Sequence, residues 1–489
     1  MRGGSVAMYN EPLVSSLKSI VGSDFVICHP DDLIVYEYDG SVDKAIPDVV
    51  VLPETTAQIS SILSLAHEKN IPVVCRGAGT GLSGGSIATH GGVQISLSRM
   101  TRILEIDPLN LTALVEPGVI NLDITKAVAK HSLYYSPDPS SQKSCTIGGN
   151  VAENAGGPHC LKYGVTTNHV LGMEVVLEDG KVVELGGYPE AQPGYDLRGA
   201  FIGGEGTLGI ATKVLVRLSR KPSITRTFMA IFADLDSAST AVTQIIGARI
   251  VPAALEMIDA LAIKAIENAR PMGYPRDAGA VLLIEIEGLA EDVNEESEAI
   301  TSICEELGVR EIRYSELAEE RERLWAGRKG AFAALGSLAP NYYLVDGVVP
   351  RTRLPDVLQK IAKICSDLDL PVANVFHAGD GNLHPLIAFD ERQPGSSAKA
   401  LQAGEAILEL CIEAGGVLTG EHGVGIEKKE YMPLMFTPDD LSIMKAFKQA
   451  FSPKSLLNPG KIFPDGKKPA QEASIRVGSF STTDSDVWI

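Results

Sequence analysis

Two short segments combine residue types that hold a metal ion and move a proton: Val375-Phe-His-Ala-Gly-Asp-Gly-Asn-Leu-His384 and Gly420-Glu-His-Gly-Val-Gly425. They supply His377 and His384, then Glu421 with His422 beside it. Two imidazoles and one carboxylate suit a divalent ion such as zinc or manganese and leave open positions for a substrate. The remaining histidine is a candidate general base. Apolar runs flank the first segment and read as two strands, with Gly-Asp-Gly-Asn as the turn between them. Such a hairpin brings His377 and His384 to the same end of a sheet. Glu421 and His422 are adjacent and would face opposite sides of a regular strand. Gly420 and Gly423 therefore predict a bent loop that turns both inward. Asp380 and Asn382 read as turn residues, or as orienters of the metal ligands.

The chain that must position these groups has 489 residues, too many for one ordinary domain. A hydrophobic content of 45% with 21% charged residues is that of a soluble globular enzyme. The net charge of −19 argues against a nucleic-acid partner. No apolar run approaches a membrane span, and the N-terminus lacks a signal-peptide core, so a cytoplasmic protein is expected. The 7 cysteines are odd in number and form no Cys-x-x-Cys pair. Reduced thiols and no iron–sulfur cluster of the chain's own are expected.

Helical spacing covers 11–21 and 54–70, with Pro53-Glu-Thr-Thr as a helix start, and Asn121 is read as the cap of a helix ending near His131. Strands are predicted at 71–75, 92–97, 103–106 and 111–117. A hairpin over 172–185 turns at Asp179-Gly180, and another strand runs over 210–218. Around Lys221-Pro222 the texture changes. Strands then alternate with longer helices, among them helices from Ser237, Ser315 and Leu354, as in an α+β unit.

Gly79-x-Gly81-x-x-Gly84 and Gly204-x-Gly206-x-x-Gly209 both match the dinucleotide-binding glycine pattern, but each is followed by a strand instead of the helix a Rossmann unit needs. No P-loop is present. A third glycine loop runs from Thr146 to Gly157. Tight turns account for any one loop; three of them, nearly uncharged, suit an extended dinucleotide gripped by backbone N–H groups.

Arg76-Gly-Ala-Gly-Thr-Gly-Leu-Ser-Gly-Gly85, the 146–157 loop, Tyr163-Gly164, the 203–209 loop and Asn458-Pro-Gly-Lys-Ile-Phe463 together resemble the FAD-binding domain of the vanillyl-alcohol-oxidase/PCMH-type flavoproteins. The two histidine segments resemble the branch of that family that oxidises 2-hydroxy acids, which includes the GlcD component of glycolate oxidase, D-lactate dehydrogenase and D-2-hydroxyglutarate dehydrogenase. The resemblance runs from about Ala45 to Phe463. It implies an α+β fold: an N-terminal helical segment (1–44), a two-part FAD-binding domain (45–222), a cap with an antiparallel sheet (223–417), a C-terminal segment returning to the flavin (418–466) and a disordered tail (467–489).

The resemblance also implies site roles. FAD would be lined by Arg76, Gly77, Ala78, Gly79, Thr80, Gly81, Ser83, Gly84, Gly85, Pro137, Thr146, Gly148, Gly149, Asn150, Asn154, Gly156, Gly157, Tyr163, Gly164, Glu205, Gly209, Ile210 and Asn458. Thr80 stands where covalent flavoproteins of this fold often carry a histidine, so non-covalent FAD is implied. A metal on His377, His384 and Glu421 would acidify the substrate hydroxyl. His422, kept neutral by a nearby cation, would take its proton, and flavin N5 the hydride. Arg328 would pair with the substrate carboxylate by its bidentate fork, with Asn382 alongside. No basic residue stands near Leu344, which favours a monocarboxylate, glycolate or D-lactate, over D-2-hydroxyglutarate.

Electrons would pass to a quinone, a cytochrome or an iron–sulfur partner subunit, in a homodimer or a hetero-complex that could sit peripherally on a membrane. Two other readings compete: a zinc hydrolase, which leaves the glycine loops unexplained, and a flavin protein that only relays electrons, which needs no base. His29, His90, His131, His159 and His169 read as surface or loop histidines.

Overall fold

The computed structural model describes residues 11–188 and 193–466. Residues 1–10 and the tail predicted over 467–489 lie outside the described residues. In the first half, short valine-rich runs form strands covered by helices. Val49–Val51 and Val73–Arg76 both pair in parallel with Val93–Ser96, and Val26–Ile27 adds an antiparallel edge. The helices Glu11–Val21 and Thr56–Lys69 bury Leu13, Leu17, Ile59 and Leu63 against this sheet. The second helix starts where Thr55 Oγ1 accepts the Gln58 N–H at 3.2 Å, and ends on Asn70 in the left-handed region. A second, five-stranded sheet is antiparallel, in the order Ile103–Asp107, Thr112–Val115, Ile210–Arg217, Val170–Val176, Val182–Gly186. Its last two strands are the hairpin expected around Asp179-Gly180.

From Ile224 the chain builds a nine-stranded sheet in which every pairing is antiparallel. The strand Ile224–Phe232 sends Phe228, Ala230 and Phe232 into one core and Met229 and Ile231 into another. Helices Leu235–Gly247, Ala290–Glu306, Leu354–Asp367 and Ser396–Glu413 cover the first face; Ala260–Ala269 and Ala318–Lys329 cover the second. Burial on both faces explains why such strands read as unbroken apolar runs. Among the described residues no helix is long and apolar enough to cross a membrane.

Three local expectations need correction. Asn121 does not cap its helix: Ile120 holds the cap position, and the buried Asn121 amide donates to Pro137 O and Asn150 Oδ1. The helix expected from Ser315 begins at Ala318, because Glu311–Ser315 is an edge strand paired with Ile224–Phe232. The strand Ala254–Asp259 carries no clear sequence signal, since the buried Glu256 interrupts its apolar pattern.

After the helix Pro438–Phe451 the chain returns to the first sheet. Val73 N donates to Leu456 O at 2.9 Å and Asn458 N to Val73 O at 2.8 Å. Glu178 pins this return by accepting the N–H groups of Lys454 and Leu456, at 3.1 and 3.0 Å, and the Ser452 hydroxyl. Glu178→Ala strands these donors, at about 1–3 kcal/mol for each one left buried. A fall of at least about 2 kcal/mol in urea unfolding is expected; an unchanged midpoint would show that the return is held by other contacts.

Candidate functional site

His377 ends the strand Val372–His377 and lies opposite Glu256 on the neighbouring strand. Glu256 Oε1 is 2.7 Å from His377 Nδ1, and Oε2 accepts Arg328 Nε at 2.7 Å. A carboxylate can only accept, so Nδ1 carries a proton; Nε2 faces a second carboxylate, Glu421, and although burial opposes it the two acids hold the imidazole well above its ordinary range. Asn382 pairs with His377 across the hairpin, and the tight turn between them uses Gly381 at φ +82°. The hairpin sets His384 edge-on to His377, with ring centroids 5.1 Å apart. Glu421 Oε1 lies 3.2 Å from Nε2 of both histidines.

Glu421 and His422 belong to an irregular loop, 419–426, held from two sides. Asp346 of the cap accepts the Thr419 hydroxyl at 2.5 Å and the N–H groups of Gly420, Glu421 and His422 at 3.1, 3.4 and 3.0 Å. Glu205 of the 203–209 glycine loop accepts the Val424 and Gly425 N–H groups, both at 2.7 Å. Ser83 adds two ties: its hydroxyl donates to His422 O, and its carbonyl accepts the Ile426 N–H, each at 2.9 Å. Gly425 takes φ +53°, and a Cβ there would stand 2.0 Å from Ser83 O. The bend expected from the glycines is present and turns Glu421 and His422 to one cavity.

That cavity encloses about 510 Å³. Gly77, Ala78, Gly79, Thr80, Gly81, Gly85, Thr146, Gly148, Gly149, Asn150, Gly156, Glu205, Gly209, Ile210 and Asn458 line it together with Glu421 and His422. Glu153, Lys329, Phe332 and Tyr342 also line it and were not foreseen. Arg76, Ser83, Gly84, Pro137, Asn154, Gly157, Tyr163 and Gly164 are not on its wall. The Arg76 guanidinium folds beneath Gly79 and donates to Tyr38 O at 2.7 Å. Asn154 closes the helix Ile147–Glu153 in the left-handed region, and the Tyr163 hydroxyl donates to Glu287. Arg328 is fully buried and paired with Glu256, and like His377 and His384 it is not among the residues lining the cavity. Asn382 is buried against Gly420.

Charge at the site is strongly structured. Burial raises the Asp346 carboxyl, but His422, Lys428 and His384 outweigh it and hold the group at about 2. Burial likewise opposes ionisation of Glu421, yet His377 above all holds it well below the carboxylate range. Burial, with the charges of His422 and His377, pulls the His384 imidazole down to about 4 despite Glu421. His422 is pulled down by burial and by Lys428, but Asp346 and Glu421 prevail and leave it raised. The cation expected to keep His422 neutral is therefore present as Lys428 and is outweighed.

Both ring nitrogens of His384 are buried and neither makes a well-aligned hydrogen bond, although Nε2 stands 3.2 Å from Glu421 Oε1. Ligand atoms at about 2.0–2.1 Å around a tetrahedral zinc stand about 3.3 Å from one another, close to the 3.2 Å from Glu421 to each imidazole. His377, His384 and Glu421 thus fit a divalent ion. Asp346, His384 and His422 also converge, but Asp346 is occupied by the loop. Of the histidines read as surface or loop residues, His29, His90 and His131 are exposed. His169 is buried on Tyr163 O, and His159 sits between Asp138 and Glu285, at 3.0 and 3.1 Å. Glu256 and Asp346, missed from the sequence, gave no local signal.

Residues 47–186 match the family "FAD binding domain", and residues 221–462 match "FAD linked oxidases, C-terminal domain". The chain belongs to the FAD-linked oxidases. Over 453 residues it is 48% identical to glycolate oxidase subunit GlcD of Escherichia coli (strain K12), covering 92% of this chain and 91% of that one. It is 43% identical to glycolate oxidase subunit GlcD of Bacillus subtilis (strain 168), covering 88% and 92%, and 32% identical to a D-lactate dehydrogenase of Anaerostipes hadrus, covering 88% and 91%. Among solved structures it superposes on p-cresol methylhydroxylase with substrate bound at a TM-score of 0.79, with 19% identity and coverage of 94% and 98%. For 4-ethylphenol oxidase from Gulosibacter chungangensis the TM-score is 0.76, with 20% identity and coverage of 95% and 99%. The PCMH-type fold with its antiparallel cap is as expected, and this FAD-linked oxidase is an FAD-dependent oxidoreductase.

Asp346→Asn keeps the shape but removes one of the two acceptor oxygens that hold the 419–426 loop. Turnover is expected to fall at least tenfold while FAD stays bound, because the ties of Glu205 and Ser83 to the far side of the loop remain. Steady-state kinetics with flavin quantitation checks this; wild-type turnover would show that Asp346 does not set the loop.

Proposed function

We propose that the protein oxidises a small 2-hydroxy acid, glycolate or D-lactate, to the 2-oxo acid. The observation that carries this reading is that Glu421, on which His377 and His384 converge, lines together with His422 the same cavity as the glycine loops. The names of the similar proteins, glycolate oxidase subunit GlcD and D-lactate dehydrogenase, support it. FAD, when bound, supplies the two-electron acceptor, and a divalent zinc or manganese ion on His377, His384 and Glu421 supplies Lewis acidity toward the substrate hydroxyl.

The chain's own residues do the rest. Arg328 holds Glu256, and Glu256 accepts from His377 Nδ1, so that a metal bound at Nε2 would replace the proton shared there with Glu421. His422 is oriented with Nδ1 3.7 Å from Asp346 Oδ2, which leaves Nε2, 3.6 Å from Glu421 Oε1, to take the hydroxyl proton. The carboxylate Asp346 stabilises the imidazolium so formed. Thr80 in the first glycine loop agrees with FAD held without a covalent bond. Since the chain has no Cys-x-x-Cys pair, electrons leave to a quinone, a cytochrome or an iron–sulfur partner subunit. The word "subunit" in the names of the similar GlcD proteins supports a hetero-complex. The 7 unpaired cysteines agree with a cytoplasmic setting.

The test is an anaerobic visible spectrum of the purified holoenzyme with glycolate, D-lactate, L-lactate and D-2-hydroxyglutarate added separately. Bleaching of the oxidised flavin bands by glycolate or D-lactate, abolished by prior chelation, is expected. Bleaching by D-2-hydroxyglutarate alone would move the substrate to the dicarboxylate, and bleaching by none would refute the assignment. His422→Ala is expected to slow bleaching by roughly 10²–10⁴-fold, the usual contribution of a general base.

A further inference from the structure

Glu153 is an acid on the cavity wall with no part in the metal site and no role as the base. It is the last residue of the helix Ile147–Glu153, where the peptide dipole disfavours an anion. Its carboxyl lies in the seam between two loops. A Cβ on Gly85 of the first glycine loop would stand 2.5 Å from Oε1, and one on Gly423 would collide with Oε2. The same Gly423 position lies 3.0 Å from Glu205 Oε1, so two acids crowd one point. Both Glu205 oxygens already accept an N–H group, from Val424 and Gly425, each at 2.7 Å. Glu153 Oε2 is buried with no hydrogen-bond partner.

Two cations and one more acid stand in range, and both cations are engaged elsewhere. Lys428 Nζ donates to Gly423 O at 3.1 Å and lies 3.5 Å from Glu427 Oε2 and 3.6 Å from Asp346 Oδ2. Lys461 Nζ donates to Ile87 O at 2.6 Å and to Asn458 Oδ1 at 3.1 Å. The acid is Asp39, which accepts the Ser41 N–H at 2.8 Å. Burial, with the charges of Glu205 and Asp39, pushes the Glu153 carboxyl well above the carboxylate range against Lys428 and Lys461. Burial raises Glu205 as well, but its two N–H donors stabilise the anion, so the proton of the pair belongs to Glu153. A protonated carboxyl has one O–H to give. On a cavity wall it is a donor to a ligand's oxygen or nitrogen, and it adds no negative charge beside a flavin that takes up electrons. We propose that Glu153 meets bound FAD as the neutral acid and donates a hydrogen bond to it, with Glu205 as its ionised neighbour. This holds whichever substrate the enzyme oxidises.

The test is the reduced-minus-oxidised infrared difference spectrum of the holoenzyme at neutral pH, for wild type, E153Q and E153A, with the flavin reduced electrochemically. The C=O stretch of a protonated side-chain acid, distinct from that of a carboxylate, should shift on flavin reduction in wild type and be absent from both variants. FAD release from diluted holoenzyme gives the second readout. E153A should hold FAD roughly 2–10-fold more weakly, the loss of one neutral hydrogen bond, and E153Q, which keeps a donor, within about twofold of wild type. Isotope-labelled glutamate assigns the band in wild type and carries the test should neither variant fold. A difference spectrum without an acid band, a band that stays in both variants, or one that glutamate labelling leaves unmoved overturns the proposal. So does FAD held by E153A as tightly as by wild type, or lost from E153Q as readily as from E153A.

Discussion

The site depends on how one irregular loop is anchored. Residues 419–426 carry Glu421 and His422 but have no ladder or helix of their own to satisfy their backbone. Asp346 accepts four donors from the N-terminal side of the loop and Glu205 accepts two from the other. One carboxylate comes from the cap and the other from a flavin-binding glycine loop. The loop is therefore the place where the two halves of the molecule agree on a geometry. Unmade hydrogen bonds in a partly buried loop are costly, so each half constrains the other through this segment.

A second chain of carboxylate and cation fixes the histidines. Arg328, Glu256 and His377 form a buried line in which each group sets the protonation and direction of the next. The result is a pair of imidazole nitrogens and a carboxylate oxygen at spacings that match a metal's coordination shell. His422 is stacked on His384 with ring centroids 5.1 Å apart. His377, His384, Glu421 and His422 are thereby held as one cluster rather than as independent side chains.

The histidines, Glu421 and the glycine loops were legible because their signals are local. Spacing across a hairpin turn, glycines around an acid–base pair and repeated uncharged glycine runs all survive in a single stretch of chain. Glu256 and Asp346 were not legible, because their meaning comes from pairing across strands: His377 and Glu256 are 121 residues apart in the chain. Arg328 illustrates the same limit from the other side. Its residue type suits a carboxylate, and it does hold one, but the carboxylate is Glu256 of the adjoining strand. Ser83 and Gly84, expected to touch the cofactor, instead tie the first glycine loop to the 419–426 loop. A glycine-rich sequence does not distinguish close approach to a ligand from close approach to another backbone.

On this account His377, His384 and Glu421 hold a divalent ion beside a separately bound flavin. Metal analysis of wild type and His384→Ala, with FAD quantified on the same samples, tests this most directly. About one zinc or manganese per chain is expected in the wild type and none in the variant, with FAD equal in both. An active wild type devoid of metal, or a variant that keeps its metal, would contradict it.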